Sequence, residues 1–122
     1  MTSLMLTLFH GTSSEYVRAI MSEGLRPGYD TKNGNYDHGL GQYVFLSRRY
    51  EDAFAYACET AHEPSKPVVL RVKVPADMVR PDPAQYWSSV GIDDAWSLVY
   101  EGTIAPSVID RMASASIVER SR

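Results

Sequence analysis

Phe9-His10-Gly11-Thr12 closes a short apolar run, and roughly thirty residues later Gly41-Gln42-Tyr43-Val44-Phe45-Leu46-Ser47 opens a helical stretch containing Ala53, Tyr56 and Ala57. A histidine leaving one strand, a tyrosine within a second and another tyrosine about two and a half turns into the next helix would line a slot with polar and aromatic walls. Such a slot suits a flat, electron-poor heterocycle. Tyrosine faces attract it by dispersion and quadrupole, imidazole offers a directional donor or acceptor, and glycine lets the backbone come close. Each residue also has a plain structural use. A lone histidine can end a strand, eight tyrosines in 122 residues put some in the core, and Ser47 can cap a helix.

The elements that must hold these residues are readable in outline. Leu4, Leu6 and Leu8 alternate with Met5, Thr7 and Phe9 as in a largely buried first strand. Ser13 and Ser14 precede Val17, Ile20, Met21 and Leu25 at helical spacing, with Gly24 placed to end a helix of about ten residues. From Arg26 to Leu40, glycines, Asn33, Asn35, Asp30 and Asp37 favour turns, so a long loop is expected there, a candidate lid over a ligand. Gln42 to Leu46 reads as a second strand, and Ser47 as the cap of a helix burying Ala53, Phe54, Ala57 and Ala61. Val68 to Val74, ended by Pro75, is the clearest strand, with the histidine and tyrosine strands as its expected neighbours. Ala76 to Gly91 reads as irregular, Trp96 to Tyr100 as a further strand, Ile104 to Ile109 as a turn into a short helix, and Ile117-Val118 as a last strand. Without a regular βαβ repeat, the class is α+β with a mainly antiparallel, split sheet and two flanking helices.

Composition sets limits on function. The chain is 44% hydrophobic, enough for one core and a single domain over residues 1–122. Twelve basic against fifteen acidic residues give a formal charge of −3, which argues against an extensive nucleic-acid footprint. Cys58 stands alone, so no internal disulfide or thiolate cluster is expected, and three histidines lack metal-site spacing. With no long apolar stretch, the expectation is a soluble, cytoplasmic protein with no membrane partner and no metal.

The order His-Gly-Thr, then Tyr-x-Phe-x-Ser, then Ala-x-x-Tyr resembles the ADP-ribosyltransferase superfamily, in the branch with poly(ADP-ribose) polymerases, rifamycin ADP-ribosyltransferases and tRNA 2′-phosphotransferases. The resemblance runs from Leu8 to about Ile109 and implies that family's split-sheet fold. It implies NAD as substrate, with His10 on a ribose hydroxyl, the backbone of Gly11 on the nicotinamide carboxamide, Thr12 among the cofactor-binding residues, Tyr43 and Tyr56 sandwiching the ring, and Ser47 on the carboxamide. Tyr36, His38 and Arg26, in or beside the long loop, are then candidates for the adenosine or pyrophosphate half. The implied activity is mono-ADP-ribosylation of a small molecule, protein or nucleobase; so small a chain offers no dedicated surface for poly(ADP-ribose).

Breaking the N-glycosidic bond passes through an oxocarbenium-like state, which a nearby carboxylate stabilises. Two acids compete for that role. Glu101 follows the Trp96 to Tyr100 strand, near where the family's acid lies, although matching the Ile104-Ala105-Pro106 turn puts Trp96 or Ser97 at that position. Asp82, in Arg80-Pro81-Asp82-Pro83, resembles an aspartate beside a proline in the rifamycin-modifying relatives, and an Asp-Pro turn needs no function. Asp93 and Asp94 are further candidates. The pieces Gly24-Leu25, Val44-Phe45-Leu46-Ser47, Lys66 to Leu70 and Ile104-Ala105-Pro106 also resemble the RNA 2′-phosphotransferases, but Glu63 stands where their phosphate-binding arginine is expected. An inactive NAD- or ADP-ribose-binding module is the third reading.

Overall fold

The computed structural model describes residues 4–27, 43–82 and 96–111. The first strand, β1 (Met5–Ser13), takes in His10, Gly11 and Thr12 instead of ending before them, because its partner β3 (Pro67–Pro75) runs antiparallel beside it from Met5↔Pro75 to Ser13↔Pro67. Helix α1 (Ser14–Glu23) starts and stops where its serines and glycine suggest. Ser13 is the N-cap by position, but its side chain makes no capping bond. The start is fastened instead by Ser14, whose N–H donates to the Lys66 carbonyl at 2.8 Å and whose Oγ accepts from the Lys66 N–H at 2.9 Å. Gly24 ends the helix at φ 95°, where a side chain would also meet the Ile104 carbonyl oxygen at 2.4 Å.

Strand β2 (Tyr43–Ser47) leads into helix α2 (Tyr50–Thr60), whose N-cap is Arg49. Ser47 is therefore not the helix cap. It stays in the sheet, opposite Phe9 on one side and Ser97 on the other. The buried stripe of α2 is Tyr50, Ala53 and Ala57; Phe54 is half-buried at its margin, and Ala61 lies past the last turn as C-cap. A short 3₁₀ turn (Ala76–Met78) precedes β4 (Val79–Pro81), and β5 (Ser97–Glu101), a second 3₁₀ turn (Pro106–Val108) and β6 (Ile109–Arg111) complete the described elements. The loop expected over 26–40 and the strand expected at 117–118 lie mostly or wholly outside the described residues.

The six strands form one sheet in the order β4-β5-β2-β1-β3-β6, every pairing antiparallel. β3 thus has β1 and β6 as neighbours; the tyrosine strand β2 occupies the other edge of β1. Alternation along the strands separates two cores. On one face Leu8, Val44, Leu46, Leu70, Val72 and Leu98 pack with Val17 and Ile20 of α1. On the other, Phe9 and Val69 pack under Tyr50, Ala53 and Phe54 of α2, with Tyr50 edge-on to Phe9 and stacked on Phe54. No helix among the described residues is long and apolar enough to cross a membrane.

Candidate functional site

The seam between β1 and β2 is where the sheet is thinnest. The two strands share one register pair, Phe9↔Ser47, whereas β1 and β3 are paired along their whole length and β2 with β5 along theirs. Beside that pair the His10 side chain bonds β2 directly, its Nδ1 standing 2.8 Å from the Phe45 carbonyl oxygen. A carbonyl only accepts, so Nδ1 carries the proton and Nε2 is left as the acceptor of a neutral imidazole. Desolvation by burial pushes the His10 pKa below its ordinary 6.5, and the bond to the Phe45 carbonyl offsets this only in part. The result is a neutral ring with one defined acceptor nitrogen at the seam.

Register places the remaining candidates. Phe9 is opposite Ser47, so Tyr43, Phe45 and Ser47 share its face, the α2 side, and His10 belongs by alternation to the α1 side with Leu8. Tyr43 is paired with Glu101, Phe45 with Val99, and Ser47 with Ser97. Arg80 is opposite Val99, which puts it on the same face. Its Nη2 donates to the Tyr43 hydroxyl, its guanidinium carbon is 5.2 Å from the Tyr43 ring centroid, and the same Nη2 is 3.9 Å from Glu101 Oε1. Tyr43, at 6% exposure, is therefore a buried ring bonded through its hydroxyl, and Glu101, its side chain 68% exposed, is an open carboxylate beside it.

Asp82 sits at the other end of this face. Its N–H donates to the Ser97 carbonyl at 3.0 Å and its Oδ2 accepts from Ser97 Oγ at 2.9 Å, so Asp82, Ser97, Ser47 and Phe9 form one row across the sheet. The carboxylate is buried, at 5% exposure. Ser97 and Glu101 are four residues apart on β5, about 13 Å along an extended strand, so the two rival acids stand in separate rows on either side of Phe45. The structure joins Glu101 to Tyr43, and Asp82 to Ser97 and the Ser47 row.

The other expected residues are scattered more widely. Gly11 lies under α2, where a Cβ would stand 2.0 Å from the Ala53 carbonyl oxygen, so helix packing alone requires glycine there. Thr12 is buried in β1. Tyr56 is 45% exposed; at 100° per residue it flanks the Ala53–Ala57 stripe and is not drawn into the core. Arg26 pairs with Glu23 at 3.2 Å. Tyr36, His38, Asp93 and Asp94 lie outside the described residues. Arg80 is the residue that sequence reasoning passed over. Its signal was its place two residues before Asp82 in a three-residue strand, easily lost between Pro75 and Pro81.

Among the described residues no three His, Cys, Asp or Glu side chains converge on a point where a metal ion would bind. Comparison with known proteins found no family model that matches the chain and no matching curated protein.

Proposed function

We propose that the protein is an NAD-dependent mono-ADP-ribosyltransferase with the superfamily's split-sheet fold. The observation that carries this reading is that β1, β2 and β5, which bear His10, Tyr43 and Glu101, lie side by side in the sheet, with the His10 imidazole bonded across the thin seam from the α1 side and Tyr43 and Glu101 paired on the α2 side. In the reaction the bond between nicotinamide nitrogen and ribose C1′ breaks, its electron pair leaving with neutral nicotinamide, and the ribose becomes oxocarbenium-like. The acceptor nucleophile then bonds C1′ and gives up its proton. His10 Nε2 accepts from a ribose hydroxyl, Tyr43 supplies an aromatic wall to the nicotinamide with Tyr56 as the second, and Gly11, Thr12 and Ser47 border the carboxamide. Glu101 supplies the carboxylate that faces developing positive charge, because it is the acid that solvent and ligand can reach. NAD as substrate and a single exposed cysteine, Cys58, fit the cytoplasm.

Asp82 is the second candidate for the acid, favoured by its place in the row that runs through Ser97 and Ser47 to Phe9, the residue before His10. The two are separated by nicotinamide release from NAD in wild type, His10→Ala, Glu101→Gln and Asp82→Asn, with denaturation midpoints measured on the same samples. Loss of release in His10→Ala and Glu101→Gln at unchanged stability is the expected outcome. Loss in Asp82→Asn alone, without loss of stability, transfers the role to Asp82. A wild type that binds NAD without turnover sinks the transferase reading in favour of a binding module, and one that instead removes a 2′-phosphate from RNA in the presence of NAD makes it a phosphotransferase.

A further inference from the structure

We propose that Arg80 is a positioning residue of this site, holding the Tyr43 ring and the Glu101 carboxylate in one arrangement; the proposal rests on the transferase reading. Three contacts of one guanidinium carry it. Nη2 donates to the Tyr43 hydroxyl, the same nitrogen is 3.9 Å from Glu101 Oε1, and the guanidinium carbon is 5.2 Å from the Tyr43 ring centroid. The register explains how one side chain reaches both. Arg80 on β4 is opposite Val99, the middle of β5, so its long stem spans β5 to reach Tyr43 on β2 and Glu101 two residues along β5.

The chemistry asks for arginine. A guanidinium carries five N–H donors in a fixed plane, so it donates to a phenol and faces a carboxylate at once while its flat side rests on an aromatic ring. A lysine ammonium supplies the charge without the fork or the stacking. The contribution to folding is small, because both members of the Arg80–Glu101 pair are more than half exposed and water screens them. The contribution to orientation is larger. A ring tethered by its hydroxyl loses freedom to tilt, and a carboxylate at a strand end is kept on the Tyr43 side of the sheet. Arg80 thus acts on the reaction through two other residues and need not touch the substrate.

The test is the steady-state kinetics of nicotinamide release by wild type, Arg80→Ala, Arg80→Lys, Tyr43→Phe and the Arg80→Ala/Tyr43→Phe double variant, with denaturation midpoints alongside. Misplacing groups at a reacting centre by about 1 Å costs about 10²-fold, and Arg80→Ala is expected to lower kcat/KM for NAD by that order. Arg80→Lys recovers part of the loss, the double variant is little worse than the poorer single variant, and the Arg80→Ala midpoint stays near that of wild type. Undiminished activity in Arg80→Ala overturns the proposal, as do losses that multiply in the double variant or a loss accompanied by collapse of the midpoint. Absence of release from wild type is a separate result that overturns the transferase reading and the positioning role with it; an active wild type indifferent to Arg80 overturns only the latter.

Discussion

His10 does two things with one ring: Nδ1 ties β1 to the Phe45 carbonyl, and Nε2 is left to accept. The acceptor role depends on the ring staying neutral, which its burial favours by lowering the pKa below 6.5, whereas the Nδ1–H bond to Phe45 survives protonation. The sign of the consequence follows from proton counting. Between the lowered folded pKa and the ordinary value of the unfolded chain, the unfolded state binds more protons, so stability rises with pH across that window. The His10 contribution is complete above pH 6.5 and is lost as pH falls through the folded pKa. Urea denaturation of wild type and His10→Gln from pH 7.5 down to 5 should show a steeper acid decline in wild type, since glutamine keeps a donor for Phe45 but does not titrate. Equal declines in the two proteins would place the acid sensitivity elsewhere. At this scale the strand positions of His10 and Tyr43 were legible because their neighbours form short ordered motifs, while the contacts of Arg80 were not. Its importance comes from register across three strands, and sequence spacing carries no register between strands that are not consecutive.

The element that closes over this face is α2, and what it demands of β1 is the absence of a side chain. Ala53 and Ala57 bring the helix backbone onto Gly11, with a built Cβ falling 2.0 Å from the Ala53 carbonyl and 3.0 Å from the Ala57 nitrogen. Backbone cannot rotate aside as a flexible side chain does, so α2 itself must lift. Gly11→Ala is expected to destabilise the fold by about 1–3 kcal/mol, the range for overpacked cores, and to do so in calorimetry whether or not NAD is present. A neutral substitution would show that α2 can lift from β1 at little cost. Such close packing was half visible in the sequence, as the small residues Ala53 and Ala57 at helical spacing, but Gly11 reads locally as a ligand-contact glycine because nothing near it in sequence names its partner. Local signals also fixed both ends of α1 at Ser14 and Gly24. They misplaced the start of α2, where Ser47 resembles a helix cap but is retained in β2 by strands that arrive from far along the chain, Ser97 above all. The same long-range competition explains why β3 was expected beside β2 and is found beside β6.

Taken whole, the molecule is two three-stranded halves, β4-β5-β2 and β1-β3-β6, meeting at Phe9↔Ser47 and at the His10–Phe45 bond. The halves do not carry equal support. β1 and β3 are paired with each other along their whole length and covered by α1 on one face and α2 on the other, so the amides bonded between them open only when the fold does. β2 and β5 pair over five residues beside a seam with one register pair, and β4 and β6 are three-residue edges. Local opening should therefore begin at the seam and run outward into β2 and β5, the half that carries Tyr43, Glu101 and Asp82. Native-state hydrogen exchange resolved by peptide is expected to show slow exchange across β1 and β3 and faster exchange in β2 and β5. His10→Ala, which removes the side-chain bond across the seam, should accelerate β2 and leave β3 near its wild-type rate. Uniform exchange across both halves, or acceleration by His10→Ala that is as large in β3 as in β2, would mean the sheet opens as one unit. A ligand bound at the seam would then have no local motion to suppress, whereas in a sheet that opens at the seam NAD should slow β2 and β5 selectively, and that difference ties the thin junction between the halves to the chemistry proposed for it.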